Sequence, residues 1–275
     1  MHILNILYAT FLGIVEGITE WLPISSTGHM ILVNEFFRNT DAFFRTDVFL
    51  YVIQLGAILA IVTMYFKKLN PFALSKSREE KRDTWQMWFK VIIACVPAAV
   101  IGLLLNDFME NFENPWVIGA TLIVYGAGFI LAERRQKPAQ ITSIKDLSYK
   151  TAILIGAFQV LSIIPGTSRS GATILGAIIL GCSREIAAEF SFFLAVPVMF
   201  GVSALKLLTN DYVMNSAEWV ILAVAMVVAY VVSMLAVKLL TGYVKKHDFK
   251  VFGWYRIILA IFVLLYFSIQ MFGLI

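Results

Sequence analysis

Two short segments place reactive side chains inside otherwise apolar sequence. The first spans residues 16–29 and the second spans residues 165–171. Together they contribute two carboxylates, a hydroxyl, an imidazole and a guanidinium, namely Glu16, Glu20, Ser26, His29 and Arg169. Ionisable groups are costly in hydrocarbon, so their presence there predicts a functional site.

Glu16 and Glu20 are four residues apart and therefore share one helix face. Two adjacent carboxylates repel each other unless a cation or a proton lies between them. Mg²⁺ is commonly held by one or two carboxylates together with substrate phosphates, so the pair is a candidate metal site. The alternative is that one glutamate is protonated and only packs against a neighbouring helix.

Hydroxyls and glycines surround both segments. Helix starts of this composition offer N–H groups to an anion, although an ordinary Ser or Thr cap has the same sequence. We therefore expect a pyrophosphate cradle built from Ser25, Thr27, Gly28, Gly166, Thr167, Ser168 and Ser170.

His29 lies three residues after Ser26, a spacing that permits a base to activate a nucleophile. Arg169 offers a forked guanidinium for bidentate phosphate contact, or else forms a buried ion pair with Glu16 or Glu20. These groups suit phosphoryl transfer, which depends on positioning and on neutralising negative charge. Because the surrounding sequence is apolar, the expected substrate has a phosphate head and a lipid tail.

The composition predicts an integral membrane protein, because 60% of the residues are hydrophobic and only 15% are charged. No cleavable signal peptide is expected. We expect neither a disulfide nor a zinc site from Cys95 and Cys182. The sequence assigns no role to these two cysteines. Six apolar runs are predicted to span the membrane: Val48–Phe66, Trp88–Leu105, Trp116–Ala132, Phe190–Leu208, Trp219–Val237 and Ile257–Ile275.

The charged loops predict an orientation. Lys and Arg concentrate in residues 67–90, 133–150 and 238–256, which we expect to be cytoplasmic, whereas 106–115 and 209–218 contain only acids among their charged residues. This distribution fits a membrane protein and not a nucleic-acid partner. It places the C-terminus outside.

Four apolar pieces around Pro23 and Pro165 are shorter or broken. Thr151–Ile164 and Ser170–Ser183 are each 14 residues long, about 21 Å of helix. We therefore predict an all-α membrane protein in one domain, 1–275, with six transmembrane helices and two re-entrant broken-helix hairpins. Residues 1–132 and 133–275 would form an inverted-topology repeat, in which aligning the two prolines pairs Ser26 with Ser168.

Both segments resemble the undecaprenyl pyrophosphate phosphatase family of bacteria, also called the bacitracin-resistance protein. The likeness covers the whole chain, including residues 52–57 and 187–191. The resemblance implies a plasma-membrane enzyme that removes the terminal phosphate of the lipid carrier for peptidoglycan synthesis, with Mg²⁺ or Ca²⁺ as metal and an outward-facing site. It implies functional roles for Glu16, Glu20, Ser26, His29 and Arg169.

Alternatives stay open at this point. The atom that attacks phosphorus is Ser26 Oγ, with His29 as base or acid and Glu20 orienting it, or His29 itself, or a metal-bound water. A carrier for an anionic lipid would use Arg169 without a nucleophile. The other membrane phosphatase superfamily has a similar Ser-x-Gly-His motif but needs a later histidine, and His247 lies in a basic loop. The sequence leaves open whether the chain works alone or as a homodimer.

Overall fold

The computed structural model describes residues 3–37, 42–110, 112, 114–135, 138–209 and 212–271, apart from the side chains of Thr27, Phe36 and residues 106–110. These residues are almost entirely helical. The helices are α1 Ile3–Thr19, α2 Ser26–Phe37, α3 Asp47–Met64, α4 Phe66–Leu69, α5 Arg78–Glu110, α6 Pro115–Arg134, α7 Tyr149–Val160, α8 Arg169–Ile179, α9 Arg184–Thr209, α10 Ser216–Val244 and α11 Lys250–Met271. Short 3₁₀ helices cover Ala42–Arg45 and Leu161–Ile163.

Within the described residues, six helices are long and apolar enough to cross a membrane, as the sequence predicts. They are Asp47–Met64, Arg78–Leu105, Pro115–Arg134, Arg184–Thr209, Ser216–Val244 and Lys250–Met271. Several begin at a clear capping signal: Asn114 caps α6 ahead of Pro115, and Asn215 forms a capping box with Glu218 at the start of α10. The protein is a multi-pass membrane protein.

The four remaining apolar helices are shorter. α1 has 17 residues, α2 and α7 have 12 each, and α8 has 11. At about 1.5 Å per residue, α2, α7 and α8 are too short to cross about 30 Å of hydrocarbon. Their re-entrant placement stays a prediction.

One boundary of these short helices differs from the expectation. α8 ends at Ile179, before Ser183. At this end Gly181 has a φ of 90°, Gly181 N donates to Ile178 O, and Cys182 N donates to Ala177 O. This is a Schellman motif, which a glycine after the helix permits.

The packing of the helices follows a pattern of exchange between the halves. α1 packs mainly on α10, and its counterpart α7 packs mainly on α5, while α6 pairs with α11 and α3 with α9. The contacts of α1 with α10 and of α7 with α5 are close. A Cβ on Gly17 would lie 2.9 Å from Ala229 O, and a Cβ on Gly156 would lie 2.0 Å from Ala94 O. In this packing α1 and α7 each lie against a helix of the other half, and the inverted repeat of 1–132 and 133–275 stays a prediction.

Candidate active site

The first break lies between α1 and α2. Glu20 N still donates to Glu16 O at 3.0 Å, and the chain then turns through Pro23 to Ser25. Ser25 has a φ of 77°, and its Oγ accepts a hydrogen bond from Gly28 N at 3.3 Å. Ser25 therefore caps α2 while its own backbone has a positive φ, which residues other than glycine rarely adopt.

The second break, between α7 and α8, also ends in a serine with positive φ that caps the next helix. After Pro165, Gly166 has a φ of 85° and Ser168 a φ of 70°. Ser168 Oγ accepts from Gly171 N at 3.1 Å and so caps α8. A Cβ on Gly166 would lie 2.4 Å from Thr121 Oγ1, so only glycine fits this turn.

The two caps correct the predicted pairing of the halves. Ser25 corresponds to Ser168 in conformation and in hydrogen bonding, so the expected pairing of Ser26 with Ser168 is wrong by one residue. The reason is that the second break has one more residue between its proline and its cap. The true counterpart of Ser26, as the first residue of its helix, is Arg169.

Glu20 joins the two breaks. Ser26 Oγ donates to Glu20 Oε2 at 2.5 Å, and Arg169 Nη2 donates to Glu20 Oε1 at 2.8 Å. The ion pair is nearly buried, with the Arg169 and Glu20 side chains 11% and 8% exposed. Ser170 Oγ adds a bond to Glu20 O at 3.1 Å. The structure thus brings three predicted site residues into contact, and Arg169 forms the ion pair that was the alternative to phosphate binding.

Besides Glu20, Ser191 and Trp21 also hold the Arg169 guanidinium. Its Nη1 donates to Ser191 O at 2.9 Å, and its guanidinium carbon lies 5.8 Å from the centre of the Trp21 ring. Thr173 Oγ1 and Ser191 Oγ are 2.7 Å apart beside it. The guanidinium is therefore fixed before any ligand arrives, which favours catalysis by preorganised charge.

His29 does not contact Ser26. Its Nδ1 lies 2.7 Å from Ser25 O, and its Nε2 lies 2.7 Å from Tyr255 Oη. The expected Ser26–His29 contact and the orientation of His29 by Glu20 are therefore wrong for this structure. Ser26, at the first position of α2, turns its hydroxyl back to Glu20, whereas His29 bonds to the preceding turn.

Glu16 is buried, with 1% of its surface exposed, and its Oε1 has no hydrogen-bond partner among the described residues. Both Glu20 oxygens are occupied by Ser26 and Arg169. The described residues contain no group of three or more His, Cys, Asp or Glu side chains that could hold a metal by themselves. A site of one or two carboxylates completed by substrate phosphates nevertheless fits the orphaned Glu16 oxygen.

The predicted phosphate cradle is partly used by the protein itself. The Ser25 and Ser168 hydroxyls cap Gly28 N and Gly171 N, and Ser168 Oγ lies 3.1 Å from Ser170 Oγ. Thr167 is buried. The side chain of Thr27 lies outside the described part of the structure. The serine hydroxyls of the predicted cradle are therefore engaged in hydrogen bonds that shape the two turns.

Sequence reasoning missed Arg256. The sequence places it in a basic cytoplasmic loop, but α11 begins at Lys250 and buries Arg256 completely. Its Nε donates to Pro23 O and its Nη1 donates to Thr167 O at 3.1 Å, so one side chain ties both breaks together. A Cβ on Gly171 would lie 2.2 Å from Nη2, which explains the glycine. An arginine six residues inside a helix that continues as an apolar run was the available signal.

Comparisons with known proteins identify the family of this chain. A sequence model of the family described as Bacitracin resistance protein BacA matches residues 9–262. A protein named Undecaprenyl-diphosphatase from Enterococcus faecalis is 55% identical over 262 residues, which cover 93% of this chain and 95% of that protein. Proteins of the same name are 54% identical in Desulfitobacterium hafniense, over 98% of both chains, and 55% identical in Acetivibrio thermocellus, over 96% of this chain and 98% of that protein.

Proposed function

This chain belongs to the bacitracin resistance protein BacA family, and from that premise we propose that it is an undecaprenyl-diphosphatase. It hydrolyses the terminal phosphate of undecaprenyl pyrophosphate in the bacterial plasma membrane. The product, undecaprenyl phosphate, is the lipid carrier of peptidoglycan synthesis, and its recycling confers bacitracin resistance.

One observation carries the catalytic proposal: Glu20 contacts both the Ser26 hydroxyl and the Arg169 guanidinium. A carboxylate within hydrogen-bond reach of a serine can take its proton as the oxygen attacks. Once protonated, Glu20 holds Arg169 less strongly, because the ion pair loses its negative charge. The Arg169 guanidinium can then direct more of its charge to the bound phosphate during the attack.

The reaction proceeds in two steps. Ser26 Oγ attacks the terminal phosphorus, the bridging P–O bond breaks, undecaprenyl phosphate leaves, and Glu20 holds the serine proton. Water then hydrolyses the phosphoserine: the water proton reaches His29 Nε2, which releases it to solvent as phosphate leaves, and Glu20 returns its proton to Ser26. Arg169 binds the non-bridging oxygens throughout, where charge accumulates.

A divalent metal, Mg²⁺ or Ca²⁺, fits the carboxylates. Glu16 would hold it with its free oxygen, and Glu20 lies one helical turn away. When bound, the metal supplies positive charge to neutralise the pyrophosphate. Without a cation the Glu16 carboxylate is buried and uncompensated, which is costly.

We place the mouth of the site on the outer side of the membrane. The distribution of Lys and Arg among the loops supports this orientation. The short helices that carry the breaks support a site within the bilayer, since irregular backbone at that depth must be buried in protein or line a wet cavity.

The test is phosphate release from undecaprenyl pyrophosphate by the purified chain in detergent, with Mg²⁺ and with EDTA. We expect metal-dependent turnover that Ser26→Ala, His29→Ala and Arg169→Ala abolish. Ser203→Ala is a matched control, because Ser203 is also buried and donates to a backbone carbonyl, Tyr51 O at 2.7 Å, away from both breaks. His247→Ala is the matched control for His29→Ala. Both control variants should keep parental turnover.

The contrary result would be a well-folded parent that binds the lipid without hydrolysing it. The same residues would then form a headgroup clamp, and the chain would be a carrier for an anionic lipid.

A further inference from the structure

Tyr255 is a half-exposed residue of α11 that meets His29 across the two halves of the chain. Its hydroxyl lies 2.7 Å from His29 Nε2, and the two rings are stacked with centres 5.7 Å apart and an angle of 11° between them. Tyr255 is 42% exposed. We propose, building on the proposed function, that Tyr255 holds His29 in place and relays the proton of the attacking water to it in the hydrolytic step.

The hydrogen bonds determine which ring nitrogen carries the proton. Ser25 O can only accept, so His29 Nδ1, 2.7 Å away, must donate and carry the hydrogen. In the neutral ring Nε2 is then the acceptor, and Tyr255 Oη donates to it. The Ser25 carbonyl thus selects the tautomer in which Nε2 is unprotonated. Because the Tyr255 hydroxyl occupies that nitrogen, Nε2 receives its proton from Tyr255 Oη, which takes one from the attacking water in the same step.

The same contacts fix the position of the ring. Ser25 holds one nitrogen from within the first break, and Tyr255 holds the other from the second half of the chain. The neighbouring residue, Arg256, binds the carbonyls of Pro23 and Thr167, so the position of Tyr255 is tied to both breaks. The imidazole is therefore held with Nε2 bonded to the half-exposed Tyr255.

Removing only the hydroxyl isolates this role. In Tyr255→Phe the stacked ring stays but Nε2 loses its partner, so the imidazole can rotate and change tautomer. We expect kcat to fall about tenfold, part of the ~10²–10⁴ that a positioned base supplies, while KM changes less than about twofold. Tyr230→Phe is the matched control, since its hydroxyl donates to Thr63 Oγ1 at 3.3 Å.

A second readout does not depend on turnover. Diethyl pyrocarbonate modifies the unprotonated imidazole nitrogen, and peptide mass spectrometry separates the histidines. We expect His29 to react several-fold faster in Tyr255→Phe than in the parent or in Tyr230→Phe. His247 is an internal control: it also stacks on a tyrosine, Tyr243, at 4.7 Å, and its reaction should not change.

Unchanged kcat together with unchanged His29 reactivity would overturn the proposal. A rise in KM with unchanged kcat would also overturn it, because Tyr255 would then bind substrate and not position the base. A parent without phosphatase activity would overturn the proposed function, but faster modification of His29 in Tyr255→Phe would still support the positioning contact.

Discussion

The two breaks share a backbone but differ in chemistry. In each, a proline turn leads to a serine with positive φ, Ser25 at 77° and Ser168 at 70°, whose hydroxyl caps the helix that follows. The first break then presents Ser26 and the second presents Arg169. The two breaks therefore share the turn and its serine cap, and they differ in the side chain that begins the next helix.

The helices before the breaks show the same division. Glu16 and Gln159 each lie nine residues before the capping serine, and each is 1% exposed with a side-chain polar atom that has no partner among the described residues. One is a carboxylate and the other a neutral amide. At this position the first half therefore carries an ionisable group and the second half carries an amide.

Removing the acid that links the breaks should have the largest effect. In Glu20→Gln the side chain can neither take the Ser26 proton nor pair with Arg169, so we expect kcat to fall about a thousandfold. Phosphate release measures this change. Glu189→Gln, which alters the surface pair of Glu189 with Lys68, is the control and should retain parental kcat. Equal losses in both variants would contradict the role given to Glu20.

Making the first half resemble the second should have the next largest effect. In Glu16→Gln the buried position becomes an amide, as at Gln159, and we expect apparent Mg²⁺ affinity to fall about a hundredfold. A Mg²⁺ titration of phosphate release measures it. Because the substitution removes a buried charge, the variant should also unfold at an equal or higher temperature in EDTA. An unchanged metal dependence would show that Glu16 does not hold the metal.

Substitutions of two arginines, Arg256 and Arg184, should differ in how they affect kcat. In Arg256→Met both breaks lose their common tie, and we expect kcat to fall about thirtyfold, a barrier increase of about 2 kcal/mol. Stability should fall as well, because Pro23 O and Thr167 O lose their buried hydrogen-bond donor.

The comparison variant is Arg184→Met. Arg184 pairs at 2.7 Å with Glu133, whose side chain is 0% exposed, so its loss leaves a buried carboxylate uncompensated. We expect a lower unfolding temperature with unchanged kcat. Thermal unfolding and phosphate release on the same samples test the contrast, which fails if both variants lose activity in proportion to stability.

The capping serines should give the smallest effect. Ser168→Ala loses the cap and keeps the positive φ, whereas Ser168→Gly loses the cap but tolerates that φ. We expect the alanine variant to be less stable than the glycine variant by about 1 kcal/mol, and the same order for Ser25. Thermal unfolding measures this order. A glycine variant no more stable than alanine would contradict the equivalence of the two caps.

Sequence patterns predicted the six spans and the residues of the two breaks because apolar length and isolated charge are strong signals. They did not predict which groups touch. The spacing of Ser26 and His29 suggested a contact, but the turn of the backbone at Ser25 directs the Ser26 hydroxyl to Glu20 instead.

Arg256 was missed for a different reason. A charge near the end of an apolar run looks the same in sequence whether it faces water or the interior. Only the packing of α11 against α6 reveals that it is buried between the two breaks. Contacts between segments more than two hundred residues apart, such as that of Arg256 with Pro23, have no local pattern.

The central claim is that Ser26, activated by Glu20, attacks the phosphate held by Arg169. Its most direct test is rapid quenching of His29→Ala, in which hydrolysis of the intermediate is slowed, after mixing with substrate labelled in the terminal phosphate. Samples are quenched in acid and in base, because phosphoserine survives acid whereas phosphohistidine survives base. We predict acid-stable label on the peptide that contains Ser26. Base-stable label at His29 in the parent, or turnover without any labelled protein, would contradict the account.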